Sequence, residues 1–402
     1  LCHSALLILF IYEIFLMRYT HVYRVLHAPR YEEMGSDADR IRENLLAQRT
    51  LWTALRYRSV GQEQGRAELR YVVDPSQRGV RPFLLVAAPH GATAPDSTNL
   101  DRLLPTDYGW QPLSSLLSEG RFPEMARPQH LRWRIASLSR RFEFLDMPGS
   151  WSRLMHEKEQ SPQGDSWLQS KVTDTRSLPP LLPFGPRQRR QTHEVEQLCI
   201  PVLSPIHDES PDRRRLCQEL QFAAPAVLSI SLQPLSEADL LQARVAAGQM
   251  RRWAEPFLRE LGNARFASIA DVFSTFDRFS LPVNNLCRIT IRVASFTEAQ
   301  SFSVAHTLSA HLGGMRSFDV LMDPVAPESL EEIGASLDRP MEGLHHRLAA
   351  ERITVDYEEY LQFLNLLPDL YTLDEAALLL RLPYGFREGL PGLETRLTPP
   401  FF

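Results

Sequence analysis

Leu286-Cys287-Arg288-Ile289-Thr290-Ile291-Arg292-Val293-Ala294 is the stretch that decides the fold. Leu286, Ile289, Ile291 and Val293 are apolar, and from Ile289 onward they alternate with Thr290 and Arg292. Period two with β-branched residues predicts a strand with one face in a core. The next residues supply the element that covers it. Thr297 can open a helix to Leu312, and Gly313-Gly314 stop it. Residues 318–322 form the next strand, closed by Pro324. Backward from Leu286, residues 267–279 make a short helix. Residues 226–232 make a strand, alternating around Ser229 and Ser231 and ended by Pro234. Ser236 caps a long helix to about Leu261. Leu240, Leu241, Met250, Trp253, Phe257 and Leu261 form its apolar side, and Pro256 kinks it. The order strand, helix, inserted helix, strand, helix, strand predicts an α+β sandwich, with helices on one face of a mostly antiparallel sheet. A ferredoxin-like arrangement is its simplest version.

The first half is patterned more weakly. A helix over 37–57 has Ser36 as its cap and Ile41, Leu45, Trp52 and Leu55 on one face. Strands are expected over 67–74, where Ala67, Leu69, Tyr71 and Val73 alternate, over 82–88, and over 131–135. These strands can supply a related sheet, although no internal repeat is visible in the residues. Residues 5–17 are apolar apart from Glu13, with Arg18 and Arg24 after them. The run is shorter than the ~20 residues of a spanning helix, and no small-residue cleavage site follows. A truncated transmembrane helix, an interfacial helix and a core helix compete, with the membrane readings favoured. The arginines would then keep the body of the protein on the cytoplasmic side. The chain starts with Leu1 rather than methionine, which reads as a fragment or a non-standard start. Residues 151–192, rich in Pro and Gly and ending near Arg187, Arg189 and Arg190, read as a linker or long loop. The expected division is a membrane-proximal helix at 1–30, a first α+β domain at 31–150, the linker at 151–192, a second α+β domain at 193–340 and a helical segment at 341–402.

Composition excludes several functions. With 402 residues and 44% hydrophobic content, most of the chain can bury a core. A net charge of -5 will not draw the whole protein to nucleic acid. Lys158 and Lys171 are the only lysines, and neither follows a glycine-rich turn, so no P-loop is present. No GxGxxG run and no GxSxG elbow exist either. Gly164-Asp165-Ser166 lies in the proline-rich stretch, without the preceding strand an esterase motif needs. Cys2, Cys199, Cys217 and Cys287 contain no CxxC pair and read as buried hydrophobes in a reducing compartment. Cys199, His207, Asp208 and Cys217 match no zinc spacing. His345 and His346 are adjacent and His306 and His311 five apart, both poor ligand geometries on a helix. Glu331-Glu332 and Glu358-Glu359 read as charge runs on exposed faces. No catalytic, cofactor-binding or metal-binding residue is expected.

The C-terminal stretch is the most specific. Thr372-Leu373-Asp374-Glu375 is a capping box. It leads through Ala376-Ala377-Leu378-Leu379-Leu380 to Arg381-Leu382-Pro383, and then to Gly389-Leu390-Pro391-Gly392-Leu393. This resembles the segment just before the motor domain in conjugative, type IV secretion-like ATPases of the HerA–FtsK superfamily. Residues 227–234, and 289–293 with the helix 305–312, resemble that family's accessory domain. The resemblance implies a bacterial, non-catalytic accessory or docking region that links a motor, in cis or in trans, to a membrane channel or substrate. The ATP-binding residues of the motor have no counterpart here. The expected setting is the cytoplasmic side of the membrane, or the cytoplasm, with membrane contact through residues before Arg24. Homo-oligomerisation is a further possibility. Two other classes stay open. One is a small-molecule hydrolase with an unrecognised site. The other is a nucleic-acid binder using Arg187, Arg189, Arg190, Arg213, Arg214 and Arg215. Leu378, Leu379, Leu380, Leu382, Leu390, Leu393 and Leu397 are too apolar for an exposed tail. They either fold back on the sheet or meet a partner.

Overall fold

The computed structural model describes residues 21–32, 37–58, 66–73, 79–87, 100–113, 133–146, 199–204, 206, 213–238, 240–241, 243–248, 251, 269–312, 317–323, 364 and 366–397. The protein is mixed α/β, and its main sheet is ten-stranded and mostly antiparallel. The first half of the chain contributes strand β1 (His21–Arg30), helix α1 (Ala38–Arg58), the hairpin strands β2 (Arg66–Val73) and β3 (Val80–Ala87), and the short β4 (Gly109–Pro112). The second contributes β5 (Arg134–Arg140), α2 (Arg214–Phe222), β8 (Ala226–Pro234), α3 (Ile269–Asp277), β9 (Leu286–Ser295), α4 (Glu298–His311) and β10 (Phe318–Met322). A separate ribbon of β6 (Phe142–Asp146) and β7 (Cys199–Leu203) is inserted between β5 and α2.

The two halves repeat one topology. In the first, β3 lies between β2 and β1, and β4 lies on the far side of β1. In the second, β9 lies between β8 and β5, and β10 lies on the far side of β5. All these pairings are antiparallel. The equivalent strands β2 and β8 then pair antiparallel with each other, Ala67 opposite Leu232 through Val73 opposite Ala226. Arg70 opposite Ser229 is the middle of that register, so an approximate two-fold axis passes between them.

Alternation decides which face each residue joins. Leu69, Tyr71, Leu84, Leu228, Ile230, Ile289, Ile291 and Val293 are buried on one face with Val304, Ala305, Leu308 and Leu312 of α4 and Leu51, Trp52 and Leu55 of α1. Thr297 caps α4 by accepting a bond from the Gln300 amide at 3.2 Å. At the opposite sheet face, Val22, Val72, Phe83, Leu85, Trp133, Ile135, Val227 and Ala294 form a smaller apolar cluster. Arg56 of α1 ties the halves together. Its buried guanidinium donates to the carbonyls of Leu286 at 2.8 Å and Val283 at 2.7 Å.

Several expectations need correction. Residues 21–30 are strand β1, so the apolar helix placed at 1–30 is not supported there. Tyr23 and Val25 alternate around Arg24 toward the main core, Val22 faces the opposite cluster, and the strand pairs with β3 and β4. Residues 1–20 lie outside the described residues, as do Ser36 and all of 151–192. Among the described residues no helix is long and apolar enough to cross a membrane. The strand expected at 131–135 begins at Arg134 and runs to Arg140. It pairs with β9.

Ile291 touches no solvent in the core between β9 and α4. Ile291→Ala should lower the unfolding free energy by about 2–5 kcal/mol. Urea denaturation followed by circular dichroism checks it, and a change under about 1 kcal/mol would refute this packing.

Candidate functional site

The C-terminal segment crosses both halves. After a 3-10 turn at Leu367–Asp369, strand β11 (Leu370–Thr372) pairs antiparallel with the start of β9, Leu370 opposite Arg288. Helix α5 (Leu373–Leu379) follows. The capping box forms in full, because the Glu375 amide donates to Thr372 Oγ1 at 3.3 Å and the Thr372 amide to Glu375 Oε2 at 3.0 Å. The chain then runs to the edge of the first half, where β12 (Thr395–Leu397) pairs parallel with Ala28–Arg30 of β1. Gly389 and Gly392 have φ of 67° and 71°. Glycine enters that left-handed region at no steric cost, which is why the Gly-Leu-Pro-Gly turn carries glycine at both ends. Leu379, Leu380, Leu382, Leu390 and Leu393 fold back into the main core, Leu378 packs against it, and Leu397 stays exposed.

A buried ionic clamp holds this segment. Both Glu375 carboxylate oxygens accept from Arg278, and Oε1 also accepts from Arg140 at 2.9 Å. Arg140 has no solvent exposure and donates to the Ser204 carbonyl at 3.0 and 2.8 Å, with its guanidinium over the Tyr371 ring. Burial would push the Glu375 carboxyl up, but Arg140 and Arg278 hold it at about 2. Further along, side chains of both halves bind the backbone of the segment. Arg213 Nη2 donates to the Leu378 carbonyl at 2.5 Å, Tyr71 to Arg381 at 3.3 Å and Tyr108 to Leu382 at 3.4 Å. The Leu382 amide donates to Gln48 Oε1 at 2.8 Å. Gln48 and Asn44 of α1 also bond the Tyr108 and Tyr31 hydroxyls. These anchors bear charges, hydroxyls or a side-chain amide, so the segment is fixed by directional bonds as well as by apolar burial.

The sheet face away from α1 and α4 is polar where the halves meet. Glu68 of β2 lies there, fully buried. It accepts from Arg66 Nη2 at 3.0 Å, from Ser229 Oγ at 2.6 Å and from Arg70 Nε. Burial would raise its carboxyl, but Arg70 and Arg66 hold it at about 2. Next to it on the same face are Ser229 and Ser231 of β8, Thr290 and Arg292 of β9, and Ser137 of β5, all buried. Asp369 is buried as well, beside Arg288 and Arg292. Desolvation outweighs both cations and raises its carboxyl to about 7.

Of the arginines proposed for nucleic acid, the described ones differ in setting. Arg213 is buried at the start of α2, while Arg214 is half-exposed and pairs with Glu388. Arg187, Arg189 and Arg190 lie outside the described residues. Cys217 and Cys287 are buried thiols, and burial pushes Cys287 up to about 12. His306 stacks edge-on against Phe302 at 4.3 Å. His207, Asp208, His345, His346, both glutamate pairs and the Gly164–Ser166 stretch lie outside the described residues. Sequence reasoning recognised the capping box but missed Glu375 as an ion-pair partner, because Arg140 and Arg278 are far from it in the chain. No family model matches the chain, and no curated protein matches it.

Glu375→Ala would leave two buried guanidinium groups facing each other and should cost about 3–5 kcal/mol. Asp374→Ala, which removes an exposed pair with Arg49, should change stability by no more than about 1 kcal/mol. Equal effects of the two in urea titrations would contradict the clamp. Asp369 gives a pH test. Its folded value is raised above the unfolded one, so its stabilising contribution is full below about 3.8 and is lost as pH rises to about 7. Asp369→Asn should therefore flatten the fall in stability between about pH 4 and about pH 7. An unchanged pH profile would count against this burial of Asp369.

Proposed function

We propose that this chain is a non-catalytic docking region of a DNA-transfer ATPase, in which each half is a ferredoxin-like unit. It links a HerA–FtsK-type motor, in cis or in trans, to a membrane or a partner. One observation carries the reading. The segment that resembles the family's lead-in to the motor is bound to both halves, on β9 at its start and on β1 at its end. A load applied near Leu397 would reach β1 through the strand pairing and β9 through the Glu375 clamp, so motor and platform would move together. A flexible tether would lack these contacts. The buried ionisable groups also serve to join elements: Glu375 joins β5 and the residues after α3 to α5, and Glu68 joins β2 to β8.

The partner surface in this reading is the exposed part of β12 with the residue before it, where Glu394, Arg396 and Leu397 reach solvent. Co-purification from the native host should retrieve a HerA–FtsK-type ATPase with the intact chain. The variant Leu397→Asp with Arg396→Glu should retrieve at least tenfold less at unchanged stability. Equal retrieval by both, or none by either, would end the proposal. In this reading the chain alone does not bind ATP, and saturable micromolar binding in calorimetry would also sink it.

A further inference from the structure

We infer that the polar face around Thr290 holds a small oxyanion, of phosphate or sulfate size, between β8 and the turn that leads into β11. Three side-chain atoms of separate elements are buried there without a hydrogen-bond partner: Ser231 Oγ of β8, Arg288 Nε of β9 and Asp369 Oδ1 of the turn. Ser137 Oγ of β5 is a fourth, one row further along. Buried polar groups are nearly always satisfied in native proteins. A concentration of unsatisfied ones on one patch therefore points to a polar occupant.

The strand registers bring Ser231, Arg288 and Ser137 to one stretch of this face, and Asp369 of the adjoining turn lies near Arg288 and Arg292. Ser231 lies opposite Thr290, Leu370 lies opposite Arg288, and Asp369 directly precedes Leu370. Strands lie about 4.8 Å apart, so Ser231 and Asp369 flank β9 at roughly 10 Å. A tetrahedral oxyanion seated over Thr290 would accept hydrogen bonds from both sides. The charges favour an anion. Arg288 and Arg292 flank Thr290, and the carboxylate of Glu68 is engaged by Arg66, Arg70 and Ser229. Burial selects the size of the occupant. Ser231 is 1% exposed and Asp369 3%, which leaves no access for a nucleic-acid strand or a peptide.

Asp369 makes the binding depend on pH. Below about 7 its carboxyl is protonated and donates to the oxyanion; above that value the carboxylate repels it and draws on the same arginines. The charged groups facing it are Arg288 and Arg292 from β9; Thr290, Ser229, Ser231 and Ser137 share that sheet face, and Glu68 with Arg66 and Arg70 lies further off on β2, beyond β8. Sulfate carries no proton exchange in this range, so it isolates the protein's own titration.

Equilibrium dialysis of the full chain against labelled sulfate should show one saturable site. Affinity should be about tenfold weaker at pH 8 than at pH 6, the ratio of protonated carboxyl for a pKa near 7. Arg288→Gln should weaken binding at least tenfold, Ser231→Ala severalfold, and Asp369→Asn should remove the pH dependence. Because Arg288→Gln can perturb folding, Ser231→Ala, checked by circular dichroism, decides alone if needed. Inorganic phosphate should compete for the site, and an oligothymidylate should not. Absence of saturable binding, which leaves water as the occupant, would overturn the inference. So would unchanged affinity in Ser231→Ala, or displacement of sulfate by the oligonucleotide. None of these outcomes bears on retrieval of an ATPase.

Discussion

The antiparallel pairing of β2 with β8 is the contact on which the rest of the molecule depends. Each strand would otherwise be the outer strand of its own half, with a row of unpaired backbone groups. Pairing satisfies both rows at once and makes one sheet of two. Below the pairing, the Ser229 hydroxyl of one half donates to the Glu68 carboxylate of the other at 2.6 Å. A buried carboxylate flanked by two arginines tolerates little displacement of its partners, because moving one leaves a charge unpaired in a low-dielectric setting. The register is therefore fixed twice, by the alternation of apolar residues on one face and by this ionic centre on the other.

On the apolar face the same junction is covered by elements from distant parts of the chain. Arg56 of α1 reaches the carbonyls that precede and begin β9. The segment from Leu370 to Leu397 starts on the second half and ends on the first. Its most buried charged contact, Glu375 with Arg140 and Arg278, lies on the second half, whereas Gln48, Tyr71 and Tyr108 hold it on the first. The two halves cannot rotate against each other without breaking contacts at one end of this segment.

Much of the architecture was legible in the sequence, for identifiable reasons. The β9 strand and the α4 helix announced themselves because their buried residues fall at single clear periods, and Thr297 and Thr372 act as caps through local bonds to residues three positions on. The repeat was not legible, since equivalent strands such as β2 and β8 share a topology and no residue pattern: Arg70 stands where its counterpart is Ser229. Strand β1 was obscured by the apolar run before it, whose hydropathy drew residues 21–30 into a membrane reading. The polar face was missed because its serines and arginines occupy the positions that alternation assigns to solvent. Burial of those positions is a property of the assembled sheet. The Glu375 clamp had no local signal beyond the capping box, since its partners come from β5 and from the turn after α3.

The central claim, that two similar halves are welded into one cooperative body at β2 and β8, is tested most directly by native-state hydrogen exchange resolved to single amides. The amides of Ala67–Val73 and Ala226–Leu232 should be among the slowest in the chain and should open only with global unfolding. Their opening free energies should agree with each other and with that obtained from urea denaturation. Exchange of one strand's amides through a partial opening in which the other half stays protected would contradict the account.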